Sequence, residues 1–123
     1  MIILFVDDDP DDYDIFRDAL KAARPNTKCL HVEDGQAAID FLNDGTSTLP
    51  DYIFLDINMP IMGGKECLIK IKKNPKLKMI PVIMYSTTSS VVEINEYKKL
   101  GAKDFIVKPA TFRNLVNTLK EVI

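Results

Sequence analysis

An α/β domain built around a parallel sheet is the fold class this sequence predicts, and three observations predict it. Short apolar runs alternate with longer stretches of helical period, five of each, the pattern of repeated strand and helix units around a parallel sheet. The runs Tyr52-Ile53-Phe54-Leu55 and Val82-Ile83-Met84-Tyr85 show no apolar/polar alternation, as strands covered on both faces require. Four runs also end on a reactive side chain: Ile2-Ile3-Leu4-Phe5-Val6 leads to Asp7 and Asp8, the run before 56 to Asp56, the run before 86 to Ser86, and Phe105-Ile106-Val107 to Lys108. In an open parallel sheet ligands bind beyond the carboxyl ends of the strands, so residues far apart in sequence can meet there.

The elements follow in order. After the first run, a helix over about residues 10–23 places Phe16, Ala19, Leu20 and Ala23 at i, i+3, i+4 and i+7, with Pro10 suited to its first turn and Pro25 just beyond its end. A short strand near 28–32 leads to a helix over about 36–43, where Ala38, Phe41 and Leu42 face one way and Gly45 marks the stop. Thr46-Ser47-Thr48-Leu49-Pro50 reads as a loop. The third helix begins near Gly63-Gly64 and ends before Asn74-Pro75, and the fourth covers about 89–100 with Gly101 as its cap. The fifth runs from about 111 to the end, with an inward stripe of Phe112, Leu115, Val116 and Leu119.

At 123 residues and 46% hydrophobic content the chain fits one domain, 1–123, with one sizeable core. Its formal charge of −2 hides an asymmetry: Asp7, Asp8, Asp9, Asp11, Asp12 and Asp14 crowd the end of the first run, while Lys65, Lys70, Lys72, Lys73, Lys76 and Lys78 follow one another mid-chain. The basic stretch reads as the solvated face of a helix and its exit loop. Without aromatic interleaving or a glycine-rich loop it gives no support to nucleic-acid binding. Cys29 and Cys67 stand alone, without CxxC spacing or a neighbouring histidine, and read as buried free thiols. No basic region precedes the first apolar run, so it is no secretory signal, and no apolar stretch approaches the ~18 residues of a membrane span. A cytoplasmic protein is the expectation.

The strand ends would gather three carboxylates, Asp7, Asp8 and Asp56. At about 4 Å, like charges repel by roughly 4 kcal/mol even at an effective dielectric near 20, a conflict that a divalent cation resolves. Oxygen-only ligands on rigid strand ends fit Mg²⁺, which keeps several waters and is completed by phosphate oxygens; no histidine or cysteine stands beside them to favour zinc. A carboxylate can also be the nucleophile that accepts a phosphoryl group, and phosphoryl transfer needs a positioned acceptor, a metal, and cationic and hydroxyl groups on the equatorial oxygens. The sequence assigns Asp56 as acceptor, Asp8 as direct metal ligand, Asp7 as a ligand acting through water or from behind, Lys108 as the charge on phosphate and Ser86 as hydroxyl donor. Asp9, Asp11 and Asp12 read as charge favouring the start of the first helix. His31, the single histidine, reads as structural.

Phe5-Val6-Asp7-Asp8-Asp9, Leu55-Asp56-Ile57-Asn58-Met59-Pro60-Ile61-Met62-Gly63-Gly64, Tyr85-Ser86-Thr87 and Phe105-Ile106-Val107-Lys108-Pro109, in this order and at these separations, resemble the response-regulator receiver domain over the whole chain. The resemblance implies a flavodoxin-like, doubly wound sheet of order 2-1-3-4-5 with five helices. It also implies a sensor histidine kinase or histidine phosphotransfer protein as donor, a Mg²⁺-dependent aspartyl phosphate on Asp56, and the main-chain carbonyl of Asn58 as a further metal ligand. It implies a switch in which Ser86 moves toward the phosphoryl group and Phe105 turns inward behind it, read out on the face of the fourth helix, fifth strand and fifth helix. A cis bond between Lys108 and Pro109 is a further implication. Two positions depart from the family pattern: Phe105 lacks the frequent tyrosine hydroxyl, and Ser86 lacks the methyl of the commoner threonine.

The expected protein is a stand-alone receiver without an output domain. It signals to an unknown downstream protein by phosphorylation-dependent contact, with no external substrate turned over, no direct nucleic-acid binding and no membrane. A Mg²⁺-dependent phosphatase with an Asp nucleophile is disfavoured by Asn58, which occupies the position where such enzymes carry a second Asp. A flavodoxin-like cofactor binder would need a phosphate-cradling Gly/Ser/Thr loop in place of these carboxylates. A phosphate-independent adaptor on the same fold remains the alternative.

Overall fold

The computed structural model describes residues 1–45 and 48–123; Thr46 and Ser47 of the expected loop lie outside the described residues. Five parallel strands, β1 (Ile2–Val6), β2 (Lys28–Val32), β3 (Tyr52–Leu55), β4 (Val82–Ser86) and β5 (Asp104–Val107), form one sheet in the order β2-β1-β3-β4-β5. β1 pairs with β2 on one side, Phe5 opposite His31, and with β3 on the other, Val6 opposite Leu55. The chain therefore reverses its direction of winding at β1, and a crevice opens there at the carboxyl ends of β1 and β3.

Strand residues alternate between two helical layers, since successive side chains of a strand point to opposite faces. Ile3, Phe5, Phe54, Ile83, Tyr85 and Ile106 share a core with α1 (Pro10–Ala23) and α5 (Phe112–Val122). Leu4, Val6, Ile53, Leu55, Val82 and Met84 share the other with α2 (Gly35–Leu42), α3 (Gly64–Lys73) and α4 (Val91–Lys99). Both layers are apolar, which is why β3 and β4 read as unbroken hydrophobic runs. In the first layer the helical stripe Phe16, Ala19, Leu20 and Ala23 is buried as its spacing requires, and Phe16 stacks on Phe5 with ring centroids 4.2 Å apart.

Capping side chains set the helix starts. Asp9 accepts from the Asp11 amide and leaves Pro10 as the first helical residue, where its missing N–H costs nothing. α2 starts at Gly35, one residue ahead of expectation, because Asp34 accepts from the Ala37 amide at 2.8 Å. Ser90 and Thr111 cap α4 and α5 in the same way, through the Glu93 and Asn114 amides. These caps trim both helices relative to the expected 89–100 and 111 to the end. Gly101, at φ +110°, provides the left-handed residue after α4.

Three expectations need correction. Phe112 lies at the first turn of α5, on the solvent side of the stripe, and is 49% exposed, leaving Leu115 and Leu119 as the buried anchors. Cys67 is buried, but Cys29 lies on edge strand β2 and is only partly covered. Lys72 is not part of a purely solvated face: its Nζ donates to the carbonyls of Lys78 and Ile80, at 3.1 and 2.9 Å, tying the exit of α3 to the turn before β4.

Candidate functional site

At the crevice, β1 delivers Asp7 and Asp8, and β3 delivers Asp56. The ladder itself fixes their relative height: the Asp7 amide donates to the Val32 carbonyl at 3.2 Å and the Asp56 amide to the Val6 carbonyl at 2.9 Å. Asp7, Asp8 and Asp56 each offer a carboxylate oxygen, all within 4.8 Å of one another. Asp7 is 1% and Asp56 8% exposed, whereas Asp8 is exposed. Asp7 is further fixed by the Asp9 amide, which donates to its Oδ1 at 2.9 Å, and by His31, whose Nε2 donates to its main-chain carbonyl at 2.8 Å while the ring stacks on Tyr13.

The electrostatics follow from this crowding. Burial, followed by the neighbouring charge of Asp7, pushes the Asp56 carboxyl up to about 6, against the pull of Lys108. Burial also raises Asp7, despite the Asp9 amide and Lys108. A cluster of this kind is short of positive charge. Three oxygen donors with no nitrogen or sulfur among them match a hard divalent cation of the Mg²⁺ or Mn²⁺ type, so the donor chemistry fits the expected metal.

Lys108 follows β5, held where its amide donates to the Ser86 carbonyl at 2.7 Å. Its Nζ lies 2.6 Å from Asp12 Oδ2, 3.2 Å from Asp7 Oδ2 and 3.8 Å from Asp56 Oδ1. Burial of the ammonium favours its neutral form, but the Asp12 hydrogen bond and the charges of Asp56, Asp7 and Asp12 outweigh it and hold Lys108 above the ordinary lysine range. The Lys108–Pro109 bond is trans, not cis as the resemblance implied, the isomer that X-Pro bonds prefer by about 0.5–1 kcal/mol.

Ser86 ends β4, 2% exposed, with its Oγ accepting from the Thr88 amide at 3.4 Å. Thr88 is itself committed to the start of α4, donating to Glu93 Oε2 at 3.1 Å. Phe105 stands two residues before the end of β5, opposite Met84, half-buried with its ring 6.0 Å from that of Tyr97. Asn58 is exposed, two residues beyond Asp56. The loop from there to α3 makes a tight three-residue turn in which the Met62 amide donates to the Pro60 carbonyl at 2.7 Å, with Ile61 at φ +68° and 82% exposed. A left-handed, β-branched residue costs about 1–2 kcal/mol; here it lets Met62 turn into the core, 3% exposed. The loop is clamped at its far end by Gly64, whose position leaves no room for a Cβ: one would fall 2.3 Å from the Asp56 carbonyl oxygen and 2.8 Å from Ile57 Cα.

The structure thus brings Asp7, Asp8, Asp56 and Lys108 together, with Ser86 at the adjacent strand end and Phe105 outside the crevice. Sequence reasoning missed Asp12, assigned there to helix-start charge. Its signal was its place in the first turn of α1, where side chains lean back toward the helix N-terminus and so toward the strand end.

The sequence profile of the response regulator receiver domain matches residues 3–120. Response regulator Rcp1 of Synechocystis is 29% identical over 98% of this chain and 85% of its own length. Among solved structures, the phosphorylated cyanobacterial phytochrome response regulator RcpA superposes with a TM-score of 0.88 at 30% identity, covering 98% of this chain and 89% of the other. The Mn²⁺-bound form of Rcp1 does so at 0.86 and 29%, covering 98% and 90%. No helix among the described residues is long and apolar enough to cross a membrane.

Proposed function

Because this chain belongs to the response regulator receiver domain family, we propose that it accepts a phosphoryl group on Asp56 from a histidine kinase or histidine phosphotransfer protein and signals through the resulting change of surface. The observation that carries this reading is the placement of one lysine ammonium and three carboxylates around a single strand-end crevice. Asp56 Oδ attacks phosphorus as the P–N bond of the donor phosphohistidine breaks; the new O–P bond forms and the electron pair returns to the imidazole. Lys108 supplies positive charge to the phosphoryl oxygens. Asp7, Asp8, Asp56 and the Asn58 carbonyl would hold Mg²⁺, which when bound offsets the repulsion among carboxylates and neutralises phosphoryl oxygens. The Mn²⁺-bound form of Rcp1 supports a divalent ion in this family.

Ser86 donates its hydroxyl to the phosphoryl group once it leaves the Thr88 amide, and Phe105 follows by packing inward, past Tyr97. A new group of about −1.5 to −2 charge provides the differential contacts that such a shift requires. The downstream protein reads the face of α4, β5 and α5, where Val91 and Val92 are 70% and 79% exposed. The reaction is self-modification in the cytoplasm, with no external substrate turned over.

Incubation with Mg²⁺ and acetyl phosphate, followed by intact mass measurement, tests the assignment. Wild type is expected to gain one phosphoryl group and Asp56→Asn none; equal gain in both would refute it. Lys108→Ala is expected to bind Mg²⁺ still but to lose the phosphorylation-dependent amide NMR shifts of Phe105 and Tyr97. Shifts of full size in that variant would remove Lys108 from the switch.

A further inference from the structure

Resting on the phosphoacceptor reading, we propose that Asp12 is a positioning residue: it competes with the phosphoryl group for Lys108 and holds the ammonium at the rim of the crevice until phosphate draws it in. Three observations carry this. First, the Lys108 Nζ is shared unequally, 2.6 Å from Asp12 and 3.2 Å from Asp7 but 3.8 Å from Asp56. Two of its three N–H donors are within hydrogen-bonding distance of carboxylates other than the acceptor, and the acceptor lies beyond that distance. Second, the Asp12 carboxylate is free for this pairing, because the N-cap of α1 is made by Asp9 through the Asp11 amide. Third, Asp12 has room to withdraw: a cavity of about 260 Å³, bounded among others by Asp12, Tyr85, Lys108 and Phe112, opens between α1 and α5 on the side of the ammonium away from Asp56.

The consequence is a charge divided between two customers. While Asp12 holds the shorter contact, Lys108 presents less of its positive charge to a phosphoryl oxygen on Asp56, and the pair must lengthen or break as the phosphoryl group arrives. Asp7 also touches the ammonium, but it is buried and fixed by the Asp9 amide and the His31 contact. Asp12, partly exposed on the first turn of a helix, is the partner able to let go.

The test is a cycle over Asp12→Asn, Lys108→Ala and the double variant, at saturating Mg²⁺, reading phosphate uptake from acetyl phosphate and affinity for the phosphoryl mimic beryllium trifluoride. Asp12→Asn is expected to raise both by about fivefold, the factor that matches a weakly exposed ion pair. Asp12→Glu, which can restore the pair, is expected to return them toward wild type. In the Lys108→Ala background Asp12→Asn should change neither. The proposal is overturned if Asp12→Asn leaves both values unchanged or lowers them, or if it shifts them equally without Lys108, which would make it a general charge effect. Thermal melting of each variant reports folding, and Asp12→Ser replaces Asp12→Asn if the latter fails to fold. A wild type that takes up neither phosphate nor mimic would defeat the phosphoacceptor reading itself, whereas a competent wild type with an indifferent Asp12→Asn defeats only this inference.

Discussion

Replacing Gly64 by alanine is expected to destabilise the protein by about 3 kcal/mol, measured as a shift of the urea unfolding midpoint. The added methyl would stand 2.3 Å from the Asp56 carbonyl oxygen and 2.8 Å from Ile57 Cα, both backbone atoms of the strand end that carries the Asp56 side chain. Neither can rotate away as a side chain would. The Gly64 amide also donates to the Ile57 carbonyl at 2.8 Å, so α3 cannot retreat without losing that bond. The same displacement moves Asp56, and the folded fraction of Gly64→Ala should take up phosphate more slowly than wild type. Gly63→Ala serves as the control, since its Cβ would come no nearer than 3.3 Å, to the Ile57 carbonyl, and should cost far less. Equal midpoints for the two variants would show that the close approach has no energetic weight.

A second large effect is set by pH. The metal-free protein should be more stable at pH 5 than at pH 7.5, opposite to the behaviour of a domain held by ion-paired carboxylates. The Asp56 carboxyl lies at about 6 in the folded chain against 3.8 as a free side chain. Between those values the folded state binds more protons than the unfolded state, so stability falls as pH rises. The contribution is complete below pH 3.8 and is lost as pH passes 6; a shift of about two units corresponds to roughly 3 kcal/mol. Asp7, raised by the same burial, acts in the same direction. Asp56→Asn should therefore melt higher than wild type at pH 7.5 and lose most of the difference between the two pH values. Saturating Mg²⁺ should reverse the slope, because the metal requires ionised ligands and binds only the folded crevice. A metal-free melting temperature that rises from pH 5 to 7.5, unaltered by Asp56→Asn, would contradict the charge crowding.

Most of the architecture was legible because period and punctuation agreed. Pro10, Gly45, Gly101 and Pro75 mark the element limits, and the buried faces of β3 and β4 left no alternation to misread. The errors lie where a single side chain decides. Phe112 obeys helical spacing yet meets solvent on the first turn of α5, where spacing alone does not tell a covered position from an open one. Lys72 looks like its five neighbouring lysines, and only the fold supplies the Lys78 and Ile80 carbonyls that it reaches. At the site, the carboxylates and Lys108 were visible as strand-end residues. Asp12 was not, because helix-start charge and a lysine partner 96 residues away place the same residue type at the same position.

The sheet order gives the site an uneven foundation. Asp7, Asp8 and Asp56 directly follow β1 and β3, neighbours in the interior of the sheet, while Lys108 directly follows β5, a four-residue edge strand paired only with β4. Edge strands with few partners open at lower free energy than central ones. Fraying of β5 would thus carry the lysine away from an acidic cluster that stays assembled. The protein can lose the Lys108 ammonium from the crevice by local opening long before global unfolding disperses the three carboxylates, so hydrogen exchange at Phe105 to Lys108 marks how firmly the two halves of the crevice are held together.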